Sequence, residues 1–376
     1  MSAEKIVYVA SPSGAVGGGM GRVKDYILQS GGDSLGRFRF EPLITRDDGG
    51  AARSVLLLVK CVLTIWISAM RGRLAFVHVN LGDKGSALRK GLLILAARMV
   101  GVPVVLHLHA AALIELYAAS SGWIRWCIRV PFRAASTVIV LGKLWRDWLV
   151  TELGIDAAKI DVLYNGVPVE VQPRNFASEA HRPARILFLG LLSERKGLSD
   201  FLAALAALPQ STPNWEAVIA GNGDIAGYQA KAAGLGIGSR ATFTGWVDQN
   251  GVRALLADVD MMVLPSYNEG LPLVILEALG SGTPVICTPV GAIPEVLDHD
   301  RDVIFVAPGD RPGLSAAMAG LIAQPTRLQS LSDHGISRFR STFALPVFLE
   351  SLFAIYRKRL GVEIVLTMPA VGQRDV

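Results

Sequence analysis

Cysteine is scarce in this chain, which contains Cys61, Cys127 and Cys287 among its 376 residues. Their number is odd, they lie far apart, and each falls in an apolar run. A disulfide framework needs paired cysteines and a zinc site needs clustered ones, so we expect neither. Buried, reduced thiols are the remaining interpretation, and they favour a cytoplasmic location.

Charged residues are also scarce, at 18% of the chain, and the mean hydropathy is +0.41. Even so, no run reaches the ~20 uncharged apolar residues of a membrane span. The longest apolar segment, residues 54–70, is interrupted by Lys60 and bracketed by Arg53 and Arg71. The first residues enter a strand at once, so we expect no secretory signal.

Blocks of lysine and arginine interleaved with aromatic residues are missing, so nucleic acid is not an expected partner. The net charge is +5, and ordinary solvation explains it about as well as any partner does. Basic residues of the amino-terminal half nevertheless flank apolar and Trp-rich segments, notably 55–70 and 123–133. That pattern suits peripheral contact with the inner face of an anionic membrane, although core packing explains both segments nearly as well.

What the sequence does contain is a long alternation of short apolar strands with helices of ten or more residues. This alternation predicts an α/β fold with parallel sheets. It stops at the polar, proline-bearing segment 169–183 and then restarts. We predict two Rossmann-like domains, 1–170 and 184–345, facing across a cleft, a helix over 346–360 that returns to the first domain, and a tail over 361–376.

The most informative stretch holds two carboxylates, Glu269 and Glu277, eight positions apart. Pro272 suits the first position of a helix, which places Glu269 at its amino end and Glu277 about 9 Å along it, at ~1.5 Å per residue. Backbone amides at this end, including those of Gly270 and Leu271, favour an anion with hydroxyl groups on either side. A nucleotide sugar has that shape.

Glycine residues predict where this helix ends and the conformation of a second, glycine-rich segment. Gly280 and Gly282 are expected to supply the left-handed stop. Residues 14–22, GAVGGGMGR, are interpreted as a loop after the first strand, with a helix starting at Met20. Their spacing matches neither the dinucleotide fingerprint nor a P-loop, but Gly18 and Gly19 permit close backbone approach to a ligand. A flexible turn is the alternative.

Two histidines, His107 and His109, alternate on one strand and therefore share a face. His109 lies at the carboxyl end of that strand, where a site is expected, whereas His107 is interpreted as a satisfied core histidine. No third ligand at recognisable spacing joins them, so no metal site is predicted. The Asp-x-Asp formed by Asp258 and Asp260 precedes a strand, away from the expected site, and is interpreted as structural.

Two adjacent cations, Arg195 and Lys196, follow the first strand of the second domain. They could neutralise a leaving diphosphate without a metal, or they could be a solvated charge pair. Backbone at Gly245 and Val247 also follows a strand, as do the NGV segment at Asn165 and the GNG segment at 221–223. Their shared position at strand ends favours one common site.

Taken together, these motifs closely resemble family four glycosyltransferases. Glu269 and Glu277 match the Glu-x7-Glu region of that family, while the lysine of SERKG, the GGGMGR segment, NGV and FTGWV match its other landmarks in the same order. The resemblance implies the GT-B fold, a nucleotide-sugar donor, retention at the anomeric carbon, and no metal or other cofactor.

The same resemblance implies a role for each matching residue. Lys196, Glu269 and His109 would be the catalytic group: Lys196 on the diphosphate, Glu269 on the transferred sugar and His109 facing that sugar. The donor would also contact Gly18, Gly19, Arg195, Gly245, Val247, Gly270, Leu271 and Glu277, with Glu277 on the ribose hydroxyls. One departure stands out: the family's arginine after the glycine at Gly190 is Leu191 here, and Arg195 is the expected substitute.

The leading hypothesis is therefore a retaining glycosyltransferase that extends a lipid-linked, exopolysaccharide or other cell-surface glycan. The alternatives are a nucleotide-sugar epimerase or sugar phosphorylase of the same fold, or a non-catalytic protein that binds nucleotide sugars. Release of nucleoside diphosphate only when an acceptor is added would separate transfer from epimerisation.

Overall fold

The computed structural model describes residues 4–30, 37–47, 49–82, 85–171, 174–176 and 183–365. Contacts divide the chain into two compact units. The first unit holds the described residues up to Gly166 and those from Leu345 onward, and the second runs from Val167 to Ala344. Much of the predicted linker 169–183 and most of the predicted tail lie outside the described residues.

The first unit is built on one parallel sheet of six strands in the order β2-β1-β3-β4-β5-β6. Its strands are β1 (Lys5–Ser11), β2 (Phe38–Ile44), β3 (Leu74–Leu81), β4 (Val104–Leu108), β5 (Thr137–Val140) and β6 (Ile160–Val162). Its connecting helices are α1 (Gly14–Gln29), α2 (Ala51–Met70), α3 (Gly85–Met99), α4 (Leu113–Ala118), α5 (Gly122–Ala134) and α6 (Lys143–Thr151). All five residues of β4 are buried, as expected for a parallel strand with both faces covered.

The second unit has the same construction, with its six strands in the order β12-β11-β10-β7-β8-β9. Its strands are β7 (Ala184–Leu189), β8 (Trp215–Ala220), β9 (Ala241–Gly245), β10 (Met261–Leu264), β11 (Val285–Cys287) and β12 (Ile304–Phe305). Its helices are α7 (Leu198–Ala206), α8 (Ile225–Gly234), α9 (Gln249–Asp258), α10 (Leu273–Gly280), α11 (Ile293–Val296), α12 (Arg311–Ile322) and α13 (Pro325–Arg338).

Each sheet contains one point at which the strand order reverses. In the first unit the chain leaves β1 toward β2 and then returns past β1 to β3; in the second it leaves β7 toward β8 and β9 and returns past β7 to β10. In open α/β sheets, ligands bind beyond the carboxyl ends of the strands at such a reversal. Ligand sites are therefore expected at the loops after β1 and β3 in the first unit and at the loops after β7 and β10 in the second.

The last helix, α14 (Leu345–Leu360), packs on the first unit. The Tyr356 side chain is fully buried, and its hydroxyl lies 2.7 Å from Nδ1 of His78 on β3. Near the end of α14, Arg359 makes an ion pair with Asp161 on β6. The predicted α/β architecture, with two Rossmann-like units and a final helix on the first, is confirmed.

Glycine produced the main errors in the predicted elements. The segment predicted as a loop, GAVGGGMGR, is part of α1, and within it Gly18 alone leaves helical geometry, with φ 49° and ψ −138°. Gly280 does not stop α10 but is its last helical residue, and the left-handed stop is Gly282, with φ 69°. Sequence reasoning also missed α4, α13 and the π-helical turn Phe339–Phe343.

Candidate active site

The loops after β7 and β10 are neighbours because these two strands pair in the sheet. Gly197, with φ 72°, makes their close approach possible. A Cβ at this position would lie 2.0 Å from the carbonyl oxygen of Pro265, the residue that follows β10. Any side chain would therefore separate the two loops, and glycine is required both for its backbone conformation and for space.

This approach brings together three of the predicted site residues. The Lys196 ammonium makes an ion pair with Oε1 of Glu269, and both side chains are largely buried. Nη1 of Arg195 lies 4.0 Å from the other Glu269 oxygen and donates to the Asn268 carbonyl oxygen at 2.8 Å. Two cations and one carboxylate thus converge at the reversal in strand order.

Two neighbours, Ser266 and Gly291, fix the position of Glu269. Ser266 donates its hydroxyl to Oε1 of Glu269 at 2.7 Å. Gly291, with φ 61°, follows β11, and a Cβ on it would lie 2.1 Å from the Glu269 carbonyl oxygen. Gly291 begins the GAIPE segment, which also resembles the family, whereas nothing in the sequence distinguished Ser266 from other serines.

The helix that follows this loop presents its amino end at the same place. Pro272 is the N-cap residue of α10 and offers no side-chain hydrogen bond to the first turn. Gly270 and Leu271 lie between Glu269 and this cap, and Ala292 donates its N–H to the Gly270 carbonyl oxygen at 3.0 Å. Glu277 lies in the middle of α10 and is 4% exposed. As predicted, Glu269 lies at the amino end of α10 and Glu277 lies on the helix. Pro272, however, caps the helix and does not take its first position, so α10 begins at Leu273.

The predicted backbone contacts at Gly245 and Val247 lie farther along the same edge, at the carboxyl end of β9. A glycine lies at the end of each of three adjacent strands: Gly190 directly after β7, Gly221 directly after β8 and Gly245 as the last residue of β9. Gly221 donates its N–H to the Gly245 carbonyl oxygen at 2.8 Å, and a Cβ on Gly221 would lie 1.7 Å from the Gly190 carbonyl oxygen. Glycine at position 221 is therefore required for the close approach of these neighbouring strand ends.

The first unit has a different set of side chains at its own reversal. His78 and Asn80 on β3 lie beside His107 and His109, which belong to β4 and its carboxyl end. The ring centroids of His107 and His109 are 4.1 Å apart, so the predicted shared face is found. Asn80 Oδ1 lies 3.2 Å from Nε2 of His78 and 3.0 Å from Nε2 of His109. We call these four residues, together with Lys90, the histidine cluster.

The hydrogen bonds of the histidine cluster set its tautomers. Asn80 Oδ1 can accept from both histidines only if each carries its proton on Nε2. Nδ1 of His78 then accepts from the Tyr356 hydroxyl, and Nδ1 of His109 is left as an acceptor. His107 is buried as expected but is not satisfied, since neither of its ring nitrogens has a hydrogen-bond partner within the described part of the chain. That part of its interpretation was wrong.

Burial keeps the three histidines of the cluster uncharged. Desolvation, outweighing the hydrogen bond to Asn80, lowers the pKa of His78 to about 4. Burial and the nearby His78 and Lys90 lower the pKa of His109 to about 3, and burial holds the pKa of His107 well below its ordinary value. At neutral pH the histidines are therefore neutral.

Lys90 connects the histidine cluster to the glycine segment. Its side chain is 1% exposed, donates to the Asn80 carbonyl oxygen and approaches the Met20 sulfur at 3.7 Å. Burial, reinforced by the nearby Arg89, lowers the pKa of Lys90 to about 7. Gly18 and Gly19 lie just before Met20 and are exposed. No sequence pattern singled out Lys90 as a site residue, because its neighbours are those of an ordinary basic helix.

The remaining motif, Asp258 and Asp260, is structural as predicted. The Asp260 carboxylate accepts from the backbone N–H of Arg185 at 2.6 Å, and Asp258 pairs with the Arg185 side chain. These contacts lie at the amino ends of β7 and β10, opposite the candidate site. Across the described residues, no group of three His, Cys, Asp or Glu side chains is arranged to hold a metal ion.

Two family models match the chain. The one described as glycosyl transferases group 1 matches residues 183–324, and the one described as a glycosyl transferase 4-like domain matches residues 49–166. Together they span well over half of the sequence. The chain belongs to the GT-B glycosyltransferases of the family four type.

Individual proteins similar to this GT-B glycosyltransferase support the family assignment. A glycogen synthase of Mycobacterium tuberculosis is 30% identical over 258 residues, which are 66% of this chain and 61% of that protein. The chain thus spans about three fifths of the length of that relative. A phosphatidyl-myo-inositol mannosyltransferase of the same organism is 34% identical over 195 residues, 49% of each chain.

Among solved structures, the Anabaena protein HepE in complex with UDP-glucose superimposes on this glycosyltransferase with a TM-score of 0.73. The match covers 94% of this chain and 99% of HepE, at 18% sequence identity. At that identity the likeness establishes the fold alone.

Proposed function

We propose that this chain transfers a sugar from a nucleoside-diphosphate sugar to a glycan acceptor. The observation that carries the proposal is the convergence of Lys196, Arg195 and Glu269 beside the amino end of α10, at the strand reversal of the second unit. Cations and helix amides suit a diphosphate, and a carboxylate suits sugar hydroxyls. HepE, which shares the fold, binds UDP-glucose.

In this proposal the ion pair between Lys196 and Glu269 is the ligand-free arrangement. When the donor binds, the Lys196 ammonium turns to the diphosphate and the Glu269 carboxylate accepts from hydroxyls of the transferred sugar. As the bond to the anomeric carbon breaks, negative charge grows on the departing diphosphate. Lys196, Arg195 and the amides near Gly270 and Leu271 stabilise that charge without reorganising, which lowers the barrier.

Glu277 is proposed to hold the nucleotide through the two ribose hydroxyls, since one carboxylate can accept from both members of a vicinal diol. Backbone at Gly245 and Val247 is proposed to contact the base. We further propose that transfer proceeds without a metal, because two cations already lie beside the expected diphosphate position. Retention at the anomeric carbon is proposed from the family resemblance. The contacts of His109, Gly18 and Gly19 with the donor remain predictions of the family resemblance.

The acceptor is proposed to be a lipid-linked or exopolysaccharide glycan of the cell surface. One relative of this chain, the phosphatidyl-myo-inositol mannosyltransferase, is named for a lipid acceptor. Other relatives are named for different acceptors, so the acceptor must be found by a panel that contains both soluble and lipid-linked glycans. The configuration of the product at the anomeric carbon, read by NMR, tests retention.

Thermal unfolding with UDP, GDP and their sugars tests the donor. A ligand that binds the native state raises the midpoint by mass action, and Glu277→Gln should reduce that rise for the preferred nucleotide by weakening its Kd about tenfold. Nucleoside diphosphate released only when acceptor is added supports transfer. Epimerised donor without acceptor would indicate an epimerase, and binding without turnover on every acceptor would indicate a sensor.

A further inference from the structure

A broad apolar surface lies on the first unit, starting with α2. One side of this helix packs inward: Cys61 and Ile65 are buried, and the Cys61 thiol donates to the Ile44 carbonyl oxygen at 3.3 Å. The opposite side carries large apolar side chains that are 42–78% exposed, namely Val55, Leu56, Val59, Leu63, Ile67 and Met70. A helix that packs on its sheet by one face thus presents a second apolar face to the outside.

Two further helices extend this surface. The Trp66 indole of α2 donates to the Ala96 carbonyl oxygen of α3 at 2.9 Å, and a Cβ on Gly91 of α3 would lie 2.8 Å from Pro131 of α5. The three helices therefore lie side by side, with α3 in the middle. The exposed apolar residues that α3 and α5 add are Leu88, Leu92, Met99, Trp123, Ile124 and Trp126. We call the exposed side of α2, α3 and α5 the three-helix face.

The three-helix face is also strongly cationic. Its helices contain eight lysine and arginine residues and no aspartate or glutamate. Of the eight, only Lys90 is buried, and Arg53, Lys60, Arg98 and Arg133 are exposed. Arg71, directly after α2, adds another exposed cation. Arg53, at the start of α2, is already paired with Asp47. An apolar surface whose helices carry cations and no carboxylates complements a layer that is apolar inside and anionic at its surface.

This charge pattern argues against a second copy of the chain as the occupant. Face-to-face pairing would bring two sets of cations together with no carboxylate from these helices between them, and like charges at an interface oppose association. Contiguous apolar patches of this kind are rare on monomers that bind nothing. A bilayer that contains anionic lipids satisfies both the apolar and the cationic parts.

The topology decides how such a helix meets the bilayer. Residues Ala52–Met70 are long and apolar enough to cross a membrane, and only 17% of that segment is buried. However, α2 connects β2 to β3, two parallel strands of one sheet, and the Tyr8 hydroxyl on β1 lies 2.9 Å from that of Ser68. Both strands pair with β1, so a helix that crossed the bilayer would carry β2 and β3 to opposite sides of it and break the sheet.

We propose that the three-helix face docks on an anionic lipid bilayer, with α2 lying along the surface rather than crossing it. Its apolar side chains enter the boundary between headgroups and acyl chains, and the lysines and arginines meet lipid phosphates. The proposal does not rest on the transferase reaction, because it uses no donor, no acceptor and none of the candidate site residues.

Vesicle flotation of the full chain tests the proposal. The protein should float with phosphatidylcholine vesicles that contain phosphatidylglycerol, bind phosphatidylcholine alone more weakly, and lose binding as salt rises. Leu63→Gln should weaken binding about tenfold, the cost of removing one leucine from an apolar layer. Leu144→Gln on α6 is the matched control, since Leu144 is 48% exposed and Leu63 is 50% exposed, and it should change nothing.

A second measurement detects contact with acyl chains by the fluorescence of the exposed tryptophans. Brominated acyl chains should quench the fluorescence of Trp123 and Trp126, and Trp123→Phe with Trp126→Phe should remove most of that quenching. The proposal is overturned if the parent protein stays unbound to every vesicle at low salt, if Leu63→Gln and Leu144→Gln behave alike, or if no quenching occurs. Self-association that depends on Leu63 without vesicle binding would assign the face to a second copy instead.

Discussion

Each unit is a six-stranded parallel sheet with one reversal in strand order, but the two reversals differ in the electrostatics of their side chains. In the second unit, the strand reversal gathers Lys196, Arg195 and Glu269, which are charged groups held by one another. In the first unit, the reversal gathers the histidine cluster, where burial lowers the pKa of the histidines and of Lys90. The two parallel sheets thus carry one edge of paired charges, which we call the charged edge, and one edge whose histidines are kept neutral, which we call the neutral edge.

The physical cause of this difference is whether each buried group has a hydrogen-bond or ion-pair partner of opposite charge. Glu269 accepts from a serine hydroxyl and from Lys196, so its negative charge is stabilised although the side chain is 7% exposed. His107 has no partner among the described residues, and its neighbours are other histidines. A buried group without an opposite charge takes its neutral form. The charged edge suits a diphosphate, whereas the neutral edge can donate and accept hydrogen bonds without binding anions tightly.

The largest effect is expected where the charged edge is broken. Lys196→Ala removes the ammonium nearest to Glu269, so kcat should fall about 100- to 1,000-fold, the range measured when one preorganised donor to a developing negative charge is lost. Steady-state kinetics with the preferred donor and acceptor measure it. Arg327→Ala is the control, because Arg327 forms an ion pair with Asp300 elsewhere in the same unit and should leave kcat unchanged. An unchanged kcat for Lys196→Ala would remove this residue from the mechanism.

The neutral edge predicts a stability effect. Lys90 has a pKa of about 7 in the folded chain, against an ordinary value of 10.5. Between these values the unfolded chain binds the extra proton, so the free energy of unfolding should rise with pH by up to about 1.4 kcal/mol per pH unit. Lys90→Met should flatten that rise from pH 7 to 10 in urea titrations. Lys231→Met, at an exposed lysine of the second unit, should leave it unchanged; an equally flat curve there would contradict the assignment to Lys90.

Much of the fold could be predicted from the sequence because parallel strands buried on both faces read as short apolar runs. The strand that carries His107, β4, and the strand that follows Asp258 and Asp260, β10, are both found in the structure. The errors arose at glycines, since Gly18 and Gly280 carry no local signal that separates a helix from its end. The helix α13 was missed because its polar sequence is held by tertiary contacts of a few buried residues.

The two sites were predictable to different degrees for a related reason. Glu269 and Lys196 stood out because charged residues in loops after apolar strands are conspicuous. His78, Asn80 and Lys90 come from a strand and a helix far apart in sequence from His109, and only the sheet order brings them together. Pairing of β3 with β4 is a long-range property, so a neutral buried cluster of this kind has no local sequence signature.

A smaller effect tests whether the charged edge needs its second cation. Arg195→Ala should lower kcat at saturating donor about tenfold, the loss of one charge-assisted contact of about 1.4 kcal/mol. Adding Leu191→Arg should restore most of it, since Leu191 is half exposed in the same loop and leaves room for a longer side chain. If Arg195→Ala turns over as the parent does, Arg195 is not the substitute for the family's arginine.

The smallest effect comes from making the neutral edge resemble the charged one. Asn80→Asp replaces the amide oxygen that faces Nε2 of His109 with a carboxylate. An adjacent negative charge favours the imidazolium, so the pKa of His109 should rise from about 3 toward its ordinary value of 6.5. NMR titration of the histidine ring protons should show this rise. As the pH is lowered, kcat/KM of the variant should begin to fall at a higher pH than that of the parent.

Asn214→Asp is the matched control for this change, because Asn214 accepts from Arg240 in the second unit and faces no histidine of the cluster. It should leave both the titration of His109 and the pH profile where they are. A shift in the NMR titration without a shift in kcat/KM would mean that the neutral form of His109 is a structural requirement of the buried edge. A shift in both would mean that the reaction uses His109 as a hydrogen-bond acceptor, which a charged imidazolium cannot be.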